Sequence, residues 1–314
     1  MSYPLVPHSR FVRQPALRIL PLLAGLVLLL SGPAFPVRTA AAADPSSAPR
    51  WVDAWALSYL PTTINGNVRN VPSFGNQTLR SNLFSKLSGS SARVRFTNRF
   101  EPAPLVIGAA HLALQAGAGA IDPATDRTLT FGGSPSVTIP PGEERWSDPV
   151  DLSVRQHTEV TVSLFLPGSV KPAAFHFTAS KTSYLSAPGN HAADVTMPPA
   201  DGPSTTNSLY FVSGLQVMAP ARTRVIVAFG DSITDGANSD LNSNSGWPEL
   251  LSKRLPALPD GTPVSVINMG IGSNRIVSAD AAGPSGVHRF ADDVLSRPNV
   301  THVIVFEGIN DISY

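Results

Sequence analysis

Arg224-Val-Ile-Val-Ala-Phe-Gly-Asp-Ser-Ile-Thr-Asp-Gly236 sets the architecture of the C-terminal third of this 314-residue chain. Behind one arginine, Val225 to Phe229 is an unbroken apolar run, the composition of a strand covered on both faces, as in a parallel sheet. Small and polar residues then take over at Gly230, Asp231 and Ser232, so the strand empties into a loop. Downstream, Trp247, Leu250, Leu251 and Leu255 recur at helical spacing, with Pro248 tolerated in the first turn. Val264-Ser-Val-Ile-Asn268 reads as a second buried strand, and Val287, Phe290, Ala291, Val294 and Leu295 form a second helical stripe. His302-Val-Ile-Val-Phe306 reads as a third strand. Strand, helix, strand, helix, strand predicts a parallel α/β sheet.

Upstream the rhythm differs. From Trp51 to about Met218 the pattern is two-residue alternation broken by turns. Ala92-Arg-Val-Arg-Phe-Thr-Asn98 puts Val94 and Phe96 on one face and Arg93, Arg95 and Thr97 on the other. Residues 128–131, 136–139 and 159–166 repeat the theme, with Pro140-Pro141-Gly142 and Pro167-Gly168 as turns, predicting an antiparallel sandwich without long helices. The first residues form a separate object: Arg10, Arg13 and Arg18 precede an apolar run from Ile19 to Leu30, and small residues follow at Ala40 to Ala43. That is the layout of a secretory signal peptide, and the run is short of the roughly 20 residues a spanning helix needs. The expected organisation is a leader over 1–43, a Pro/Ser-rich linker over 44–50, an all-β sandwich-like domain over 51–221 and an α/β domain over 222–314. The product is expected to be secreted, with no stable membrane span after cleavage. The absence of cysteine excludes disulfides and thiolate metal sites. A net charge of +1 with no basic cluster gives no footprint for nucleic acid.

In a parallel α/β sheet, sites gather at the carboxyl ends of the strands. Three polar loops fall there: Gly230 to Gly236, Asn268 to Arg275, and Glu307 to Asp311. Ser232 is the natural nucleophile, since it follows a buried strand directly and lies near a segment start where backbone N–H groups are free to bind an anion. Asn310 offers a side-chain amide that can hold an oxyanion during acyl transfer. A Ser in an ordinary turn and a turn-capping Asn are the plain alternatives for each residue taken singly. Competing motifs fail. Ser232 has Gly230 two positions before it but Thr234 two positions after, so it does not have both glycines of a Gly-x-Ser-x-Gly elbow. Gly270-x-Gly272-x-x-Arg275 lacks the third glycine of a dinucleotide site, and Asn238-x-Asp240-x-Asn242 lacks the glycine and distal Glu of a calcium hand.

Gly230-Asp231-Ser232, the glycine-containing second loop and Gly308-Ile309-Asn310-Asp311 together resemble the first three sequence blocks of the GDSL, or SGNH, hydrolase family, over residues 224–314. The β-rich stretch 51–217 resembles the N-terminal region of secreted bacterial members, for instance at Ser183-Tyr184-Leu185. The resemblance implies a flavodoxin-like three-layer fold, incomplete here, in a serine esterase that cleaves acyl or acetyl esters without metal or cofactor. Its substrate would be a glycan acetyl ester or an acyl lipid. Ser232 would attack, and its own N–H would be one oxyanion donor. Asn310 would be the side-chain donor, with Asp231 holding the turn and Gly308 supporting the third loop. The middle donor would be a backbone N–H at Gly272 or Ser273. The spacing Asn268-x-Gly270-x-x falls on Ser273, where members usually carry Gly, so an added side chain is expected to crowd the oxyanion. The family's general base is a His in an Asp-x-x-His block, a pattern residues 1–314 do not contain. The chain is therefore expected to be a fragment that stops before that block, and its activity alone is left open. His302 belongs to the far end of its strand. His288 starts the second helix on the correct edge, where the family places no base. His111, His157, His176 and His191 belong to the sandwich as surface or satisfied residues. The other class of function is a non-catalytic secreted carbohydrate-binding protein, in which the sandwich holds a glycan and the α/β part is inert.

Overall fold

Alternating residues make strands over most of the first part of the computed structural model, which describes residues 48–255, 259, 261–279 and 283–313. The expected leader, and the linker up to residue 47, lie outside the described residues. One antiparallel sheet contains β1 (Arg50–Ala56), β3 (Ala92–Thr97), β5 (Glu144–Trp146) and β8 (Val212–Ala219), in the order β1-β8-β3-β5. A second contains β2 (Gln77–Ser85), β4 (Ala109–Gly117), β6 (Thr158–Leu166) and β7 (Ser183–Pro188), ordered β4-β6-β2-β7 between two short edge strands. In β3 Val94 and Phe96 are fully buried and Arg93 and Arg95 are only partly covered, but Thr97, expected on the polar face, is buried too. Val160, Val162 and Leu164 of β6 enter the same core. The expected strand over 128–131 is shorter: the strand itself is Arg127–Thr128, and Phe131 makes an isolated bridge to Ser134. Among the described residues of this part, the one helical element is the 3-10 turn Pro123–Thr125.

The rhythm change after residue 222 corresponds to a three-stranded parallel sheet of β9 (Arg224–Gly230), β10 (Val264–Gly270) and β11 (Val300–Phe306), ordered β10-β9-β11. Its helices are α1 (Ser232–Asp235), α2 (Trp247–Arg254), α3 (Gly286–Phe290) and α4 (Ile309–Ser313). The register pairs Gly230 with both Gly270 and Phe306, so all three strands end at one level. That alignment places the three polar loops side by side. β9 is buried as its uninterrupted apolar run should be, and β10 is buried as well, with Ser265 inside it. β11 is different: it lies at the sheet edge with Val305 and Phe306 half or more exposed, so a buried-strand composition here faces outward.

The second helical stripe is also rotated from the expected phase. Val287 and Leu295 are 67% and 71% exposed, while Gly286, Arg289, Asp293 and Arg297 are buried with Val294. Two causes are visible. α3 runs into a π-helical turn over Ala291–Leu295, closed by Ser296 N–H donating to Ala291 O, and the extra residue in that turn shifts the phase. Arg289 and Asp293, moreover, find hydrogen-bond partners in the loops and the β region, and Arg297 lies 3.7 Å from Asp53. The described residues, from 48 onward, fall in one compact unit. Val225, Val227, Ile267 and Met269 of the parallel sheet share one apolar cluster with Val52, Leu83 and Val217. Polar bonds cross the same seam: Ser265 Oγ donates to Asp53 O at 2.6 Å, and Ser58 Oγ to Asp293 Oδ2 at 2.7 Å. No helix among the described residues is long and apolar enough to cross a membrane.

Candidate functional site

Asp231 caps the turn that carries Ser232. Its Oδ1 accepts from Ile233 N–H at 2.9 Å, satisfying one of the donors a helix start leaves unpaired, and Ser232 becomes the first residue of α1. Asp231 is buried, and this backbone bond is the one its side chain makes to the turn. Ser232 is half-buried at the end of β9. The close approach of the other two loops depends on glycine. A β carbon on Gly230 would lie 2.1 Å from Phe306 O and 2.2 Å from Thr234 Oγ1, and one on Gly270 would lie 2.1 Å from Asp235 N. The second loop therefore rests on α1, and Ile271 N–H donates to Gly230 O at 3.0 Å.

Gly272 and Ser273 follow in that loop. Ser273 has φ 61°, the left-handed region where glycine is at ease, which gives a physical reason for glycine at the equivalent place in family members. Its side chain is exposed rather than packed against the neighbouring loops. Asn274 is buried, with Nδ2 donating to Pro284 O at 2.8 Å. Asn310 Nδ2 donates to Asn274 O at 2.8 Å. An amide nitrogen carries two hydrogens, so this bond orients Asn310 and leaves a second N–H for an incoming acceptor. Asp311 fixes the same junction: its carboxylate accepts from Ile276 N–H at 2.8 Å and Val277 N–H at 3.3 Å. Gly308, at φ 119°, makes the bend between β11 and α4.

The structure thus brings together the loops of Ser232, Gly272–Ser273 and Asn310 at the carboxyl edge of the sheet. Among the described residues, no histidine hydrogen-bonds the Ser232 hydroxyl. His302 is exposed on β11 and bonds Thr301 Oγ1 at 2.9 Å. His288 lines a cleft of about 550 Å³ between α3 and the β region, beside Tyr59, Arg99 and Asp292. His111 pairs with Asp126 and His191 with Asp194, while His157 meets Ser252 Oγ.

Two features of the site lay outside the sequence reading. His176 reaches over from the β region and is buried, its Nε2 lying 2.9 Å from Asp235 Oδ1, one turn beyond Ser232. Its Nδ1 meets Ser58 O at 2.8 Å. A carbonyl and a carboxylate both only accept, so this pair of neighbours favours the doubly protonated ring. Burial works against that charge, but Asp235 outweighs it and holds the His176 pKa above its ordinary value. Glu307, immediately before Gly308, is the second. Its side chain is fully enclosed, and burial pushes its pKa up to about 7, against the pull of Arg289 3.3 Å away. Neither residue falls in a motif, and both are set by partners more than ten positions distant. No group of three or more His, Cys, Asp or Glu among the described residues is arranged to hold a metal ion.

Residues 228–314 match the family model described as the GDSL-like Lipase/Acylhydrolase family. Similar solved structures include AlinE4, an SGNH-hydrolase family esterase, at 28% identity over 29% of this chain and 42% of that one, with a TM-score of 0.24. A family two carbohydrate esterase from Clostridium thermocellum, in complex with cellohexaose, is 13% identical over 86% of this chain and 64% of that one, with a TM-score of 0.24. A family two carbohydrate esterase from Cellvibrio japonicus is 14% identical over 85% and 69%, with a TM-score of 0.21. The chain spans less than half the length of the first and about two thirds of the others. No curated protein sequence matches the chain.

Proposed function

Since residues 228–314 belong to the SGNH/GDSL hydrolase family, we propose that this chain carries the nucleophile and oxyanion cradle of a secreted serine esterase acting on acyl or acetyl esters. The observation that carries the reading is the shared level of the three strand ends. Gly230, Gly270 and Phe306 are in register, so Ser232, the Gly272–Ser273 backbone and Asn310 issue from one edge.

The chemistry follows from the groups present. Ser232 Oγ attacks the ester carbonyl, and the carbonyl oxygen takes up negative charge as the tetrahedral species forms. The Ser232 N–H, a backbone N–H at Gly272 or Ser273, and the second N–H of Asn310 Nδ2 supply donors for that charge. Donors fixed beforehand are worth more than water here, because they need no reorganisation as the charge develops. The alcohol leaves, an acyl-Ser232 ester remains, and water releases the acid. The proton leaving Ser232 needs a general base. The family supplies one from an Asp-x-x-His block, a pattern that residues 1–314 do not contain. The sheet is read as the start of a flavodoxin-like three-layer domain, and the leader over 1–43 as the export signal. Glycan acetyl esters and acyl lipids are the two substrate classes of this reading.

The test is hydrolysis of p-nitrophenyl acetate and of an acetylated glycan by the purified full-length gene product. Ser232→Ala is expected to lower kcat by at least about 1,000-fold. Turnover unchanged by Ser232→Ala would overturn the assignment.

A further inference from the structure

The three loops of the proposed cradle meet on one side chain. Arg289 of α3 is 3% exposed, and its guanidinium donates into every one of them. Nη2 donates to Gly230 O at 2.8 Å, two residues before Ser232. Nη1 donates to Met269 O at 2.7 Å, where β10 enters the second loop, and Nε donates to Asn274 Oδ1 at 2.7 Å. Asn274 is the residue whose carbonyl orients Asn310. Nη2 also reaches Glu307 Oε2 at 3.3 Å, three residues before Asn310. Asp293 Oδ2, 2.9 Å from Nη1, answers the charge, and the guanidinium carbon lies 3.9 Å from the centre of the Phe229 ring.

A guanidinium is a flat plate with its donors in a fixed fork. Acceptors from three separate loops bound to one such plate cannot change their mutual spacing without breaking a bond to it. Building this arrangement required desolvating a cation, which is costly unless every partner is well placed. A residue serving the core alone would need no acceptors in the loops. Resting on the ester-hydrolase reading above, we propose that Arg289 is the positioning residue of the oxyanion cradle. It holds the Ser232, Ser273 and Asn310 donors at their working separation without itself touching substrate.

Arg289→Lys tests this, since lysine keeps the charge beside Asp293 but offers a point donor that cannot bridge Gly230 and Asn274 together. Arg80→Lys is the control: Arg80 is an equally buried arginine, bonded to Gly119 O and Asp194 O in the β region. In the full-length gene product, Arg289→Lys is expected to lower kcat and kcat/KM together by about 10- to 100-fold, with KM within about 2-fold, because misplacement acts on the transition state. Arg80→Lys is expected to lower thermal stability and leave kcat of the folded enzyme within about 2-fold. Hydrogen exchange read by mass spectrometry supplies an arm independent of turnover. Segments 230–236, 270–277 and 307–313 are expected to exchange faster together in Arg289→Lys and not in Arg80→Lys. The inference is overturned by wild-type kcat in Arg289→Lys, by an equal kcat loss in Arg80→Lys, or by unchanged exchange in the three segments. Should the wild type show no Ser232-dependent turnover, the esterase reading falls, and the exchange pattern still decides whether Arg289 holds the loops.

Discussion

Gly230 and Gly270 face each other across β9 and β10, and each occupies a place where a β carbon has no room. The atoms in the way are backbone or the root of a short side chain, so they cannot swing aside. Gly230→Ala and Gly270→Ala are therefore expected to cost about 3 kcal/mol or more, the range of severe overpacking. Gly272 is different, because a β carbon there meets nothing closer than Asp235 Oδ2 at 3.6 Å. Gly272→Ala is expected to change stability by less than about 0.5 kcal/mol. Urea denaturation of the three variants checks the contrast, and equal losses would show that the loops do not pack as described. Ser273 completes the picture at this scale. Its left-handed backbone carries a strain of roughly 1 kcal/mol that glycine would avoid, yet its side chain is exposed. What serine in place of glycine changes at this position is thus the backbone conformation rather than the packing of a side chain.

The elements of the parallel sheet were legible because their signal is local. Val225 to Phe229 is apolar without interruption, Val264 to Ile267 is apolar but for Ser265, and both proved to be buried strands. Loop order then followed from the rule that sites lie at strand ends, which needs no side-chain detail. The second helix was legible as a helix but not in its facing. Its sequence shows an apolar stripe, whereas the structure buries the polar line Arg289, Asp293 and Arg297 beside Val294. Periodicity assumes that apolar residues point inward, and it cannot register that a guanidinium has carbonyl partners from loops tens of residues away. For the same reason His176 read as an ordinary sandwich histidine, since its partner Asp235 is 59 positions distant. The helix face can be tested directly. Val294→Ala is expected to cost about 1–2 kcal/mol as a core truncation, and Leu295→Ala, at 71% exposure, less than about 0.5 kcal/mol. Comparable losses in thermal or urea unfolding would restore the face expected from the stripe.

Across the whole molecule, the β region and the parallel sheet are joined by charge as well as by apolar packing. Lys86 and Glu249 are 3.0 Å apart at the same seam that His176 and Asp235 cross. The His176 pair makes this seam sensitive to pH. A histidine whose folded pKa is raised contributes stability that is complete below its unfolded pKa, about 6.5, and drains away as pH rises through the folded value. Wild type should therefore exceed His176→Asn in unfolding free energy most clearly near about pH 6, with the gap narrowing toward about pH 9. Urea titrations at a series of pH values measure it, and a gap independent of pH would show that the ring is neutral in the fold.

The seam also bears on how the chain can change over evolutionary time. Ser58 sits on it twice, giving its hydroxyl to Asp293 and its carbonyl to His176. Both acidic partners along this path, Asp293 and Asp235, adjoin the segments that present Arg289 and Ser232. Substituting Ser58 removes the hydroxyl bond to Asp293, while the main-chain bond to His176 survives, so drift at this place in the β region is tied to a residue more than two hundred positions away. Homologous lineages should therefore exchange Ser58 together with Asp293, and His176 together with Asp235, as two independent pairs.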